Sequence, residues 1–447
     1  MDAKLEKKYG LFTAIAMVVG IVIGSGVFFK AEKILTATGG NLKQGILAWV
    51  IGGIIMISCA YTFSVMATKY QYVNGIVDYA EATVGKTYAY YVGWFMAIIY
   101  YPTITSVLAW VSARYTCVIF GFSITGGECM TIACFYLISS FTINALSPVL
   151  AGKFQVSTTI IKLIPLFIMA IAGTFVGLHS GMTSYNFTHS VTTGTSSGLF
   201  TAVVAASFAY EGWIIATCIN AELKNAKKNL PLALIAGTFI TMAVYIFYYI
   251  GLAGTVKNEV IMAGGEAGAK LAFQMLFTSV GGNLLFIFVI ISCLGTLNGL
   301  MLGCTRGIYS LSARGLGPNP RIFNQVDPVT NMPVNSAILG LFLCGTWLFY
   351  FYGANLTASW FGFFSFDSSE LPIVTVYALY IPIFIMLMIK GKDLNFVNRF
   401  FMPLLSLAGC VFMIIAAWFA HGMAVVAFLI VFFFVMIFGA VLLRKAK

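Results

Sequence analysis

Charge is scarce in this chain. Only 9% of its 447 residues are Asp, Glu, Lys or Arg, against roughly 25% in soluble domains. The shortage runs the whole length, while 60% of residues are hydrophobic and mean hydropathy is +0.95. That excludes a globular enzyme with one anchor and implies a polytopic membrane protein. Three histidines occur, His179, His189 and His421, all outside the apolar core. With no acid–base pair or metal-ligand set in the spans, an integral-membrane enzyme has little to work with. The nine cysteines form no CxxC or Cys/His cluster, so neither metal nor other cofactor is expected. Most lie in apolar spans as small hydrophobes. Cys117 and Cys129 flank one predicted outer loop and are positioned to pair, although helix ends seldom meet disulfide geometry. A cleavable signal peptide is not expected either, because the apolar stretch from Leu11 to Phe29 exceeds an h-region.

What is present is a series of long apolar runs. About 20 residues span a bilayer, and twelve candidate spans lie near 11–36, 45–68, 91–118, 130–147, 154–178, 198–220, 231–255, 281–308, 333–352, 371–389, 400–420 and 423–443. Tyr100-Tyr101-Pro102 punctuates the third and Pro165 the fifth, where kinks are expected. The stretches 69–86, 256–280 and 309–332 have room for short interfacial helices. The net charge of +11 fits basic residues retained on one side. With the N-terminus inside, 18 of the 25 Lys and Arg are cytoplasmic, while Lys30, Lys33, Lys43, Arg114, Lys257 and Lys270 are outside. That bias assigns both termini to the cytoplasm. Asn186-Phe187-Thr188 and Asn355-Leu356-Thr357 read as acceptor sequons in outer loops.

Two spans are expected to be interrupted. The first reads Val22-Ile23-Gly24-Ser25-Gly26-Val27-Phe28 and the sixth Ser207-Phe208-Ala209-Tyr210-Glu211-Gly212-Trp213. Glycine weakens a helix, and opened backbone survives in lipid only where protein or a water-filled cavity covers it. At 1.5 Å per residue, Gly24 and Glu211 lie roughly 20 Å from opposite faces, near the middle of a ~30 Å core. Matched breaks in two halves point to a transporter binding site at a repeat interface. N–H groups beginning at Ser25-Gly26 suit a carboxylate. Carbonyls around Val22, Ile23, Phe208 and Ala209 suit an ammonium, so a zwitterionic α-amino acid matches both. The bland alternative for Gly24-Ser25-Gly26 alone is a small-residue packing motif.

Lys162 is the one basic residue read as lying well inside a span, roughly 13 Å beyond Lys153. Such a residue either lines a functional path, here by donating to carbonyls near Val22 and Ile23, or snorkels to the interface. Glu211 either takes the substrate ammonium, selects cationic side chains or exchanges a proton, or else caps freed backbone. Asn298, Tyr100 and Tyr245 are further polar or aromatic candidates for which packing is the default.

These motifs resemble the amino acid–polyamine–organocation (APC) superfamily, specifically the L-type amino acid transporter family and its bacterial serine/threonine and alanine-serine-cysteine exchangers. The likeness rests on Gly20 to Phe28, Ile161-Lys162-Leu163-Ile164-Pro165, Phe208 to Trp213, Glu222-Leu223-Lys224-Asn225 and Asn229-Leu230-Pro231, and runs from Tyr9 to about Pro320. It implies an all-α, LeuT-like 5+5 inverted repeat plus two helices, with helices 1 and 6 unwound at mid-membrane. The corresponding divisions are 1–180, 195–392 and 393–447. It implies sodium-independent exchange of neutral L-amino acids by alternating access in a plasma membrane, here a bacterial inner membrane. Ser25 and Gly26 would hold the carboxylate; Val22, Phe208 and the Glu211 carbonyl would hold the amino group. Lys162 would replace a sodium ion, and Tyr245 would handle substrate. Animal relatives pair with a single-span glycoprotein through a cysteine after the third helix; no such heavy chain is expected here. The chain departs from the family at Val65 and Gln71-Tyr72-Val73-Asn74-Gly75, which bears on inner gating. Asp367-Ser368-Ser369-Glu370 is an unusual run with no reading from sequence. Proton coupling, cationic or amine substrates through Glu211, and a non-transporting receptor remain the alternatives.

Overall fold

A computed structural model describes residues 10–70, 75–192, 197–214, 223–330, 332–357 and 359–446. Lys4, Lys7, Lys8, Tyr9, Gln71 to Asn74, Glu222 and Lys447, used in the sequence readings, lie outside them. In chain order the helices are α1 (Leu11–Val22), α2 (Gly26–Ala37), α3 (Leu42–Lys69), α4 (Ile76–Thr83), α5 (Lys86–Phe95), α6 (Tyr101–Phe120) and α7 (Gly127–Leu146). Then come α8 (Pro148–Ile161), α9 (Leu163–Ile168), α10 (Thr174–Ser180), α11 (Met182–Thr188), α12 (Gly198–Tyr210), α13 (Ala226–Thr255), α14 (Asn258–Gly264) and α15 (Glu266–Leu276). The remainder are α16 (Ser279–Ser312), α17 (Pro320–Phe323), α18 (Val334–Phe351), α19 (Leu371–Lys390), α20 (Met402–His421) and α21 (Met423–Ala446). Among the described residues, ten helical stretches are long and apolar enough to cross a membrane. Two shorter apolar helices, Leu11–Gly20 and Gly198–Tyr210, coincide with the interrupted spans. The expected interfacial helices are α4, α14, α15 and α17.

Both proline expectations needed adjustment. In the third span a wide π-turn, Met96–Tyr100, precedes Pro102. In the fifth the break falls at Lys162, between α8 and α9, three residues before Pro165. Pro165 has no N–H for the carbonyl of Ile161 and its ring crowds that atom, so the chain opens one turn upstream.

Contacts gather the chain into two compact units. The first comprises the described parts of Met1–Ala89, Leu166–Met262 and Val374–Ala420. Within it α13 is the central post, packed on α3, α1, α10 and the π-turn Met169–Gly173. Small residues make the closest approach possible. A Cβ on Gly251 would run into the Met169 carbonyl, and one on Gly254 into the Gly173 carbonyl. At one end Asn186 is 1% exposed. Its amide donates to the carbonyls of Ala253 (2.6 Å) and Val256 (2.9 Å), and its oxygen accepts from the Asn258 N–H (3.0 Å). Buried and doubly bonded, it presents no free amide nitrogen, which corrects its reading as an acceptor sequon. At another end Lys69 bonds Asp393 at 2.6 Å and Lys390 donates to the Thr83 carbonyl at 2.6 Å. The Lys69 ammonium holds the exposed Asp393 carboxyl below its ordinary range.

The second unit comprises Tyr90–Pro165, Ala263–Ile373 and His421–Lys447. Here α16 is central, against α6, α7, α8, α15 and α18. Tyr90 and Trp94 tie α5 to α21 by donating to the carbonyls of Gly439 (2.8 Å) and Val435 (2.9 Å). Asn298 is buried and bonds Asn144 at 2.9 Å and the Ala151 carbonyl at 3.1 Å, joining α16 to α7 and α8. The Asp367–Glu370 run now has an account: Asp367 accepts from the Ser369 N–H at 2.8 Å to start α19, and buried Glu370 meets His421 at 3.0 Å. Cys117 and Cys129 are both buried free thiols, so the disulfide is not formed.

The small-residue seam makes a stability prediction. Gly251→Ala should destabilise by about 1–3 kcal/mol through overpacking, read as a lower apparent Tm in detergent. Gly345→Ala, on an open face of α18 with nothing near its Cβ, should leave Tm unchanged or raise it.

Candidate functional site

The first interruption is built from two glycines, Gly24 and Gly26, and their neighbours. α1 ends at Val22, where the Ile23 N–H closes the last bond to the Val19 carbonyl at 2.8 Å. Ile23 turns extended, with ψ of 108°. α2 starts at Gly26, and its first internal partner is the Ser25 carbonyl, 2.9 Å from the Phe29 N–H. Two helix ends are thereby exposed to each other: carbonyls at the close of α1 and N–H groups at the opening of α2. Ser25 lies between them, 1% exposed. Its Oγ makes no helix-capping bond and is a buried atom with no hydrogen-bond partner.

The second interruption follows α12. The Glu211 N–H reaches the Phe208 carbonyl at 3.4 Å, then Glu211 turns extended with ψ of 157°. Gly212 has φ of 106°, a conformation few side chains tolerate, and Trp213-Ile214 form a short turn. Residues 215–222, the rest of the expected span, lie outside the described set.

Both openings belong to the first unit, and they touch. A Cβ on Gly26 would collide with Cα of Ala209, so glycine there permits direct backbone approach. The hydroxyl of Tyr245, from α13, lies 3.1 Å from the Val22 carbonyl and 3.0 Å from the Ala209 carbonyl. One hydroxyl proton serves two acceptors, and each carbonyl has two lone pairs. Acceptor capacity therefore remains at the paired helix ends. An aromatic frame fixes Tyr245: its ring stacks on Tyr210 at 5.3 Å and meets Trp49 edge-on at 5.4 Å, while the Tyr210 hydroxyl donates to the Trp49 carbonyl at 2.9 Å.

Glu211 is half-buried and lies within electrostatic reach of the Tyr377 and Tyr380 phenols of α19. Tyr380 also packs on Phe63 at 4.8 Å, beside Trp213. Sequence reasoning missed both tyrosines; their three-residue spacing was visible, but aromatics are too common in this chain to single them out.

Two further candidates belong to the second unit. Lys162 is 1% exposed at the α8–α9 break and belongs to the second unit, so it is buried and does not snorkel. Tyr100 closes the π-turn of that unit and is packed in its core. Lys162 is not the one buried basic residue. Lys30 is fully buried in α2, its ammonium 4.8 Å from the ring centroids of both Phe29 and Phe208. Its number near an outer boundary gave no hint of that. Among the described residues no group of three His, Cys, Asp or Glu is placed to hold a metal.

The arrangement offers buried carbonyl acceptors, helix-opening N–H donors and an unpartnered hydroxyl within one short stretch. Donors and acceptors of both kinds, with no nucleophile–base pair, favour binding over bond chemistry. Comparison with known proteins agrees. Over 421 residues the chain is 29% identical to the serine/threonine exchanger SteT of Bacillus subtilis (strain 168), covering 92% of this chain and 91% of that protein. It is 28% identical over 376 residues to the human b(0,+)-type amino acid transporter 1, covering 77% and 74%. It is 24% identical over 374 residues to the glutamate/serine transporter AimA of Bacillus subtilis (strain 168), covering 79% and 68%. These relatives are transporters, and the chain is no enzyme. The family described as "Amino acid permease" matches residues 9–443. This membrane protein therefore belongs to the amino acid permease family, within the APC superfamily that its motifs resembled.

Proposed function

We propose that the chain is a sodium-independent exchanger of neutral L-amino acids working by alternating access. The observation that carries this reading is the junction of the two openings at Gly26, Ala209 and Tyr245. Helix-opening N–H groups at Ser25-Gly26 take the carboxylate, with the Ser25 Oγ adding a hydrogen bond. The carbonyls of Val22, Ile23, Phe208 and Ala209, and that of Glu211, take the ammonium. Gly24 supplies the bend between these two sets. The Tyr245 hydroxyl holds two of the carbonyls in place while the site is empty and yields acceptor capacity to the ammonium.

The reading extends to architecture. Ten long spans and two interrupted ones make twelve, arranged as a LeuT-like 5+5 inverted repeat over 1–180 and 195–392 with two further helices in 393–447. The excess of Lys and Arg in alternate loops supports cytoplasmic termini, and the likeness to SteT supports a bacterial inner membrane. No heavy-chain subunit is required. Lys162 serves as the fixed cation that stands in for a coupling ion, since a buried ammonium costs about 2.5–3.5 kcal/mol on insertion scales and is retained for a use.

A second reading has one observation in its favour. Glu211 beside Tyr377 and Tyr380 is an acid with hydroxyl neighbours, the makings of a proton site. Proton coupling would make net uptake depend on a pH gradient, and Glu211→Gln would abolish that dependence while sparing exchange at zero gradient.

Exchange by purified protein in proteoliposomes tests the main reading. Uptake of labelled serine or alanine should require internal amino acid and no ion gradient; uptake into vesicles without internal amino acid, driven by sodium or protons, overturns it. Ser25→Ala should raise KM about tenfold or more, the range for a lost bond to a charged group, with little change in Tm. Lys162→Ala should sharply reduce flux while the protein elutes as a folded species; wild-type flux in that variant rejects the assigned role.

A further inference from the structure

We propose that the groove between α7 and α18 is a binding site for one acyl chain of a membrane phospholipid, held there as a resident lipid. The inference needs only that the chain is a membrane protein, and it stands or falls separately from the transport reading.

The groove lies wholly within the second unit and has a volume of about 550 Å³. Sites for small ligands span roughly 300–1,000 Å³, so the space is large enough for one. Its lining is almost wholly apolar. Leu137 of α7 and Leu348 of α18 make a floor only 3% and 2% exposed, and Ile138 and Phe349 beside them are open to the surroundings. Such a lining gives a polar ligand no partner, and apolar cavities stay dry. What enters must be hydrocarbon.

Glycine opens the groove. Gly127 and Gly345 line it, and nothing lies within 4 Å of where a Cβ on either would stand. A glycine inside a helix weakens it, and the usual reason for one in a membrane span is close helix packing. Gly340 has that reason, since its Cβ would run into the Cys304 carbonyl. Gly345, further along the same helix, makes no such approach. Its missing side chain leaves room instead.

Length identifies the occupant. α7 begins at Gly127 and α18 ends at Phe351, so the end of the groove at Gly127 and Tyr352 lies where both spans reach a membrane surface. The other end, at Ile138 and Leu341, falls mid-helix in both. The helical rise between the two ends is about 16 Å, close to half of a ~30 Å hydrocarbon core. That is the depth of one leaflet, and therefore of one acyl chain. Trp360 stands at the surface end, 5.8 Å from Phe349 and 5.3 Å from Tyr352, and Trp and Tyr favour the headgroup level. The groove is also continuous with the bilayer-facing sides of its two helices, where Phe135 and Phe342 are 64% and 68% exposed. A chain can enter sideways from the membrane without crossing water. Once inside, it restores the dispersion contacts that an empty groove forfeits.

Native mass spectrometry of the protein, washed extensively in mild detergent, tests the site. Wild type should carry one phospholipid. Gly345→Phe fills the groove and should lower that occupancy about tenfold or more, which corresponds to about 1.4 kcal/mol of lost binding. Cys134→Phe, on the opposite wall, serves the same purpose if Gly345→Phe does not fold. Phe342→Leu, on α18 but outside the lining, should keep the lipid. Dioleoylphosphatidylethanolamine added to delipidated protein should raise the apparent Tm of wild type, as a ligand of the native state does, and leave folded Gly345→Phe unmoved. Folded wild type that carries no lipid overturns the proposal, as do groove-filling variants that retain lipid as fully as wild type. A lipid-free species with the mass of two chains also overturns it, because a second copy then covers the groove.

Discussion

A backbone carbonyl or N–H that leaves its helix inside hydrocarbon must find a partner, because no water is there to supply one. This constraint organises the first unit. α1 and α12 both stop short, at Val22 and Tyr210, and each stop releases polar groups that would cost several kcal/mol if stranded. The answer is to bring the two stops together and place one hydroxyl, that of Tyr245, between the carbonyls of Val22 and Ala209. A hydroxyl meets the need only in part, since one proton serves two acceptors. Under the proposed function, the residual capacity is what a substrate ammonium uses.

Around that junction the packing is arranged to keep it from collapsing into ordinary helix. Glycine at position 26 lets two backbones meet, and Gly212 takes a left-handed turn that ends α12. Trp49, Tyr210 and Tyr245 form a rigid aromatic frame, while the close seam of Gly173, Gly251 and Gly254 holds α13 against the π-turn. The hydroxyl position is thus set by helix packing some distance from it, which couples the site to the stability of the whole unit. The same economy appears in the second unit, where buried Asn144 bonds buried Asn298 and buried Glu370 meets the partly exposed His421.

Much of this was legible. Long apolar runs separated by basic loops gave most of the long helices to within a few residues, and the Gly24-Ser25-Gly26 run and Gly212 marked where α1 and α12 stop. Lys162 stood out because charge is so rare. What escaped was anything depending on which face a residue presents. Lys30 was assigned to the outer side near the end of the first span, yet helical phase turns it inward onto Phe208. Tyr377 and Tyr380 were two among 22 tyrosines. Asn186 looked like an exposed sequon, but α11 buries it under three hydrogen bonds. The break in the fifth span was displaced from Pro165 to Lys162, because proline disturbs the carbonyl four residues upstream.

The amino-acid sequence by itself determined that the chain lives in a membrane, where its helices fail and that Lys162 is carried into an apolar span. Those are local properties, set by hydropathy and by the weakness of glycine as a helix former. Only the tertiary structure decided that the two failures meet, that Tyr245 bridges them and that Lys30 sits on Phe208. These contacts join residues up to 223 positions apart, and their geometry follows from the packing of α13 against α1 and α3, which no local pattern encodes.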